Sequence, residues 1–445
     1  MPRLPLLVRG VRAARPGGNG LRDAGRDERR RGHGRGGGRS GRPCRPSRSS
    51  LDRERDRGGD RPQPGAPPPG SRAGPALPLG RGASEDGRGL LGGDRVPQLA
   101  RNRGVAQPLV VVDADVLGRR RTGDETYVEN LLRALVPLAE GELRLAALTR
   151  RPELVPDGVR PVPVPARVQE ARMAVSVPRA LARLEPALVH FQHALPLGCR
   201  WPAVVTIHDL SFAREPWLMR PWDRLLFCLL VPRAVRRAAH VLAVSERTKG
   251  DLVELYGLPP DRVTVTPNGV DPLFTPCPRG GQGRYLLFVG SVERRKNPRA
   301  ALEAAVQVGL PLVVVGPTRD RALARELARR GADVRGYVTK EELAELYRRA
   351  ACLLFPSRYE GFGLPVVEAM ACGTPVVAAP DPALREVAGE AAVLVEPERM
   401  AEGVRRALAD RERLVAAGLE RARRFTWEET ARRTLAVYRR VLAGR

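Results

Sequence analysis

From Pro108 onward the chain alternates short β-rich apolar runs with amphipathic helical stretches, and that rhythm restricts it to one kind of architecture. The run "PLVVVDADVLG" opens with unbroken apolar residues, the pattern of a strand buried on both faces of a parallel sheet. A glycine-bearing turn, "RRRTGDET", and a helical pattern, "YVENLLRALVPLA", follow it. Strand-like runs recur as "LRLAALT", "ALVHFQH", "AVVTIHD" and "HVLAVS", and a long helical stretch between the last two ends at "RRAA". Parallel neighbours need a crossover, which a helix supplies, so the order predicts a doubly wound α/β sheet.

The rhythm restarts after "PLFTPCPRGGQG" (Pro272–Gly283), whose prolines and glycines read as a linker. The runs "RYLLFVGS", "PLVVVGP", "ADVRGYV", "ACLLFPS", "TPVVAA" and "AAVLVEP" then predict a second sheet of the same kind. The stretch "FTWEETARRTLAVYRRVL" opens with a capping box from Thr426 to Glu429 and continues as an amphipathic helix. The expected division is a first α/β domain over 105–277, a second over 284–425 and a C-terminal helix over 426–445. Sheets of this class bind ligands outside the carboxyl ends of their strands, which places the site in the crevice between the domains.

Residues 1–104 break the pattern. They are rich in Arg, Gly and Pro with almost no apolar periodicity, so they are expected to be disordered. Two readings stay open for them: an RNA-binding arginine/glycine tail, or a start codon assigned too far upstream. They carry 24 arginines against 10 acidic residues and so hold +14 of the chain's net charge of +26. Lysine occurs only at 249, 296 and 340 against 73 arginines, the habit of a GC-rich bacterial genome. Basicity therefore does not identify a nucleic-acid partner. The six cysteines form no C-x-x-C pair, and several lie in apolar runs, which points to reduced thiols rather than to disulfides or zinc. No apolar run reaches the length of a membrane span, and a cytoplasmic protein is expected. The segment Arg214–Ala239 mixes Trp, Leu and Arg; it either packs on the first sheet or makes peripheral contact with the inner face of a membrane.

The densest chemistry lies in "SRYEGFGLPVVEAMACGTPVV". It reads as a loop at the end of a buried strand, then a helix that Gly373 terminates. Gly361 and Gly363 let the backbone approach a ligand, and the helix start offers free N–H groups to phosphate or hydroxyls. Glu360 precedes the turn and Glu368 lies one turn inside the helix, among Val366, Val367, Ala369 and Met370, where casual exposure is disfavoured. No His or Asp accompanies the pair at metal-ligand spacing, so no metal is expected. In "FVGSVERRKN" the strand ends at Gly290 and leads to Arg295 and Lys296, a reasonable diphosphate clamp. His208 and Asp209 follow the strand in "VVTIHDLSF", where a histidine can donate to a phosphate or hydroxyl or transfer a proton. Gly123 sits in the turn after the first strand.

Together with "TGDETYVENLL" and "VTVTPNGVD", these segments resemble a retaining glycosyltransferase of family 4 (glycosyltransferase group 1), from about Leu109 to Leu442. The resemblance implies the GT-B fold, two facing Rossmann-like domains with a C-terminal helix. It implies that Glu360 contacts hydroxyls of the donor sugar and Glu368 accepts from the nucleotide ribose. The backbone of Phe362, Gly363 and Leu364 would lie against the donor, with Gly290 beside them. Arg295 and Lys296 would neutralise the leaving diphosphate, His208 would stand near the donor sugar, and Gly123 would belong to the loop over the reaction centre. Bond-breaking is then expected across the crevice from the two glutamates, at Arg295, Lys296 and His208. Asp124 and Glu125 depart from the glycines usual in the first loop and turn it towards the acceptor.

The implied reaction moves a hexose, mannose or glucose, from a GDP- or UDP-linked donor to a hydroxyl of a glycan or glycolipid at the cell surface, with retention and without a cofactor or metal. Retention without an evident nucleophile suggests attack from the leaving group's own side. The rivals are a nucleotide-sugar epimerase or phosphorylase of the same fold, and an arginine-rich nucleic-acid-binding protein.

Overall fold

A computed structural model describes residues 107–120, 122–166, 168–218, 221–277 and 283–444. The expectation for residues 1–104, part of the linker and Arg445 lie outside the described residues. The first sheet has seven parallel strands: β1 Leu109–Asp113, β2 Arg144–Thr149, β3 Arg160–Pro163, β4 Leu188–Gln192, β5 Ala203–Ile207, β6 His240–Ala243 and β7 Val263–Val265. They lie in the order β3-β2-β1-β4-β5-β6-β7. The second sheet holds β8 Leu286–Val289, β9 Leu312–Val315, β10 Asp333–Gly336, β11 Cys352–Phe355, β12 Val376–Ala378 and β13 Val393–Leu394, also parallel, in the order β10-β9-β8-β11-β12-β13.

The apolar runs are unbroken because helices cover both faces of each sheet. In β1, Val110 and Val112 pack into one core, while Leu109 and Val111 pack into another on the opposite face. In β8, Leu287 and Val289 divide from Leu286 and Phe288 in the same way. Three strands carry no unbroken run, and one of them is β10, "DVRG", a half-exposed edge of the second sheet. β3 reads "RPVP" and is largely exposed, and its prolines suit an edge, where ladder donors are not needed. β7 has only three residues and closes the other edge.

Local readings change in four places. The helix after β1 begins at Thr122, so Gly123, Asp124 and Glu125 form its first turn rather than a loop. Two acidic residues there complement the positive end of the helix. The turn itself falls earlier, over Asp115–Arg120, with Gly118 at φ 76°. The segment read as a linker is partly core, since Phe274 is buried and packs on Tyr347 at 5.8 Å between ring centroids. The capping box of the last helix, Trp427–Ala443, is half formed. Thr426 Oγ1 accepts from Glu429 N, but the Glu429 carboxylate pairs with Arg432 and Arg433.

That last helix packs on the first lobe, not the second. Trp427, Ala431, Leu435 and Tyr438 share a core with Val110, Tyr127 and Leu131. Of the described cysteines, Cys199, Cys352 and Cys372 are buried and free, whereas Cys228 is exposed.

Candidate active site

Each sheet reverses its strand order once, between β1 and β4 and between β8 and β11, and these are the places where a crevice opens beyond the strand ends. All ten residues singled out in the sequence border one cavity of about 360 Å³ there: Gly123, His208, Gly290, Arg295, Lys296 and Glu360, with Phe362, Gly363, Leu364 and Glu368.

On the second lobe, β8 runs out at Gly290, whose φ is 156°. The chain needs little bulk here because the β9 end crowds it: a Cβ on Gly316 would lie 2.2 Å from the Gly290 carbonyl oxygen. A single 3-10 turn, Arg294–Lys296, follows and ends at Asn297 in the left-handed region, φ 52°. It lies against the loop after β11, where Arg358 N donates to Arg295 O at 3.0 Å and the Arg295 guanidinium donates to Tyr359 O at 2.8 Å. Lys296 Nζ donates to Glu360 Oε1 at 2.5 Å, and Arg295 stands 3.9 Å from the other oxygen. The cations therefore do not face Glu360 across the crevice as the sequence led us to expect. They are its immediate partners on the same lobe, and of the three groups named only His208 stands opposite.

Burial and pairing compete over these two cations. Burial lowers the Lys296 pKa more than Glu360 raises it. For Arg295 burial also works against the cation, but Glu360, Asp209 and Glu293 together outweigh it and raise the pKa. The two half-buried cations share Glu360 and Glu293 as partners, with Asp209 nearby, so an incoming anion would have to exchange for one of these carboxylates.

Gly363 ends the loop at φ 101° and begins the helix Leu364–Ala371, with Pro365 where a missing N–H costs nothing. Glu368 is 8% exposed, and Tyr347 Oη donates to its Oε2 at 2.9 Å. Burial raises its pKa to about 7, against the opposing effect of that hydrogen bond. Gly361 borders the cavity and meets a second demand there. A Cβ there would lie 1.7 Å from the carbonyl oxygen of His208, so the first lobe itself demands a glycine. Ser245 Oγ donates to Gly361 O at 2.5 Å, and Tyr359 Oη donates to Asp251 at 2.6 Å, tying the same loop across the crevice.

On the first lobe, β5 delivers His208, whose ring meets Tyr127 edge-on at 4.7 Å. Burial lowers its pKa to about 4, more than the nearby Asp124 restores, so the imidazole is neutral near neutral pH. Its Nε2 is buried without a hydrogen-bond partner, as is His193 Nδ1. His193 follows β4 with φ 57°. Asp124, His193 and His208 each offer one atom, all within 4.8 Å of one another. This trio comes from three separate elements, and no spacing in the chain announces it. Asp209, Asn268 and Lys340 also border the cavity and were given no role from the sequence. Lys340 bridges the lobes, reaching Glu129 at 3.0 Å and Asp271 at 3.3 Å.

Two parallel, doubly wound sheets whose strand ends open onto one crevice are the architecture of the two-lobed GT-B fold. Residues 278–425 match the model described as "Glycosyl transferases group 1", and residues 121–273 match "Glycosyltransferase Family 4". The chain is 32% identical over 269 residues to an O-antigen chain mannosyltransferase of Escherichia coli, covering 53% of this chain and 70% of that one. It is 38% identical over 250 residues to a D-inositol 3-phosphate glycosyltransferase of Catenulispora acidiphila, covering 47% and 60%. Among solved structures it is similar in fold to a sucrose-phosphate synthase from Thermosynechococcus elongatus, with a TM-score of 0.63 and 22% identity over 76% of this chain and all of that one. The chain belongs to the group 1 glycosyltransferases of family 4 and is a glycosyltransferase.

Proposed function

We propose that the protein transfers a hexose, mannose or glucose, from a nucleotide diphosphate donor to a hydroxyl of a glycan or glycolipid, with retention of configuration. The observation that carries this is the Lys296–Glu360–Arg295 cluster at the end of β8, an anion-receiving group beside a carboxylate. The diphosphate takes over Arg295 and Lys296 from Glu360 as the glycosidic bond to it breaks, so these cations stabilise the leaving group. Glu360 is freed by that exchange to accept hydrogen bonds from the sugar hydroxyls. Glu368 accepts from the ribose, while the backbone of Phe362, Gly363 and Leu364 lies along the donor between them, beside Gly290. Neutral His208 donates from across the crevice, and Gly123 leaves open space over the reaction centre, with no atom within 4 Å of where its Cβ would be.

The mannose reading draws on the E. coli relative, and a role in cell-surface glycan synthesis draws on the same likeness. In this reading no metal or other cofactor takes part: the Asp124–His193–His208 trio hydrogen-bonds the acceptor, and two arginine and lysine cations do what a metal would do for the diphosphate. Attack from the leaving group's own face accounts for retention, since no side chain is assigned as nucleophile.

The test is turnover of GDP- and UDP-linked hexoses by the full chain, with and without a chelator. Transfer or slow hydrolysis of one donor is expected, undiminished by chelation. Lys296→Ala should lower kcat by about a hundredfold to a thousandfold, the usual loss for one stabilising donor. Near-normal turnover in that variant would overturn the clamp, and loss of activity on chelation would overturn the metal-free reading.

A further inference from the structure

We propose that the helix Pro221–Arg237 seats the first lobe on an anionic phospholipid surface. The inner face of this helix is ordinary: Val231, Ala234 and Val235 join the core beneath it. Its outer face is not. Trp222, Leu225 and Leu229 are 73%, 50% and 63% exposed, at spacings of three and four that align them on one side. Trp217, on the turn just before, is 68% exposed. Single exposed apolar residues need no explanation, but an aligned group ending in two tryptophans does. Continuing the same stripe by four and three residues gives exposed Arg233 and Arg236, and Arg224 lies on its flank. None of these three arginines has an ion pair among the described residues.

An apolar stretch led by tryptophan and continued by uncompensated cations fits the interface of a bilayer, with indole rings at headgroup depth and guanidinium groups on lipid phosphates. The charges disfavour a second copy of this chain as occupant, because a symmetric pairing would bring the same cations face to face. No helix among the described residues is long and apolar enough to cross a membrane, so the contact is one of lying on the surface. It is also close to the chemistry. Phe227, on the same helix, meets the His193 ring at 5.8 Å, and His193 lies 5.3 Å from His208. A surface that holds this helix therefore sits next to the acceptor side of the crevice.

Binding of the full chain to phosphatidylcholine vesicles with and without phosphatidylglycerol tests this, independently of any turnover. The native protein should bind the anionic vesicles and weaken with salt, and its tryptophan emission should be quenched by lipids with brominated chains. Trp222→Ser/Leu225→Ser/Leu229→Ser should bind about tenfold weaker or less and lose the quenching, with an unchanged melting temperature because the three side chains are exposed. Residues 1–106 are common to both proteins, so their charge cancels in the comparison. Equal binding and quenching of the two would overturn the proposal. So would a native dimer in solution that the triple variant loses, which would assign the face to a second copy.

Discussion

Glu368 carries the most exacting consequence of burial. An exposed glutamate titrates near 4.5, whereas burial places this one at about 7. Between those values the folded chain holds the proton that the unfolded chain releases. The stability this confers is complete below the lower value and is lost as pH rises through the upper one, an amount on the order of 3 kcal/mol. Glu368→Gln should therefore melt higher than the native protein at about pH 8 and alike at about pH 4. If Glu368 accepts from the donor as proposed, the change should also raise KM for the donor; a KM unmoved by it would remove Glu368 from the donor site. Much at this scale was legible in the chain, because glycines and charges at strand ends mark crevice residues whatever the partner. What was not legible was pairing. Lys296 and Glu360 are 64 positions apart, and only the closure of β8 against β11 brings them together. Asp124, His193 and His208 meet for the same reason, at the ends of elements that sequence distance does not relate.

At the scale of elements, eleven of the thirteen strands were legible, ten of them as apolar runs and one, β10, as a half-exposed edge strand reading "DVRG". β3 and β7 escaped because edge strands need neither continuous apolarity nor every donor. The helix start at Thr122 escaped because a glycine in a first turn resembles a loop glycine. The last helix was recognised but not its destination, which no periodicity encodes. It reaches the first lobe through a buried polar chain: Tyr438 Oη meets His190 Nδ1 at 2.6 Å, His190 Nε2 meets Thr206 Oγ1 at 2.7 Å, and Thr206 Oγ1 meets Tyr127 Oη at 2.9 Å. Burial lowers the His190 pKa to about 3, so the ring is neutral and depends on these partners. Tyr438→Phe should leave its Nδ1 unpaired and cost about 1–3 kcal/mol in denaturant unfolding. A smaller loss would mean that water replaces the hydroxyl.

For the molecule as a whole, the return of that helix means that the chain crosses between its lobes twice, at one place. Val270 and Thr426 form a parallel bridge, and Val270 N donates to Phe425 O at 3.0 Å. Thr430 Oγ1 donates to Pro267 O at 2.5 Å, and a Cβ on Gly269 would fall 2.1 Å from Trp427 N. Gly269→Ala should force the two crossings apart and cost about 1–3 kcal/mol or more, read as a lower melting temperature. An unchanged melting point would show that the crossing is loose. If it is tight, the lobes have a common spine. They can then swing about it like the covers of a book, but they cannot slide past each other or draw straight apart. A swing of that kind would open the crevice furthest at the fore-edge, away from the spine, once the ties from Ser245 to Gly361 and from Tyr359 to Asp251 part.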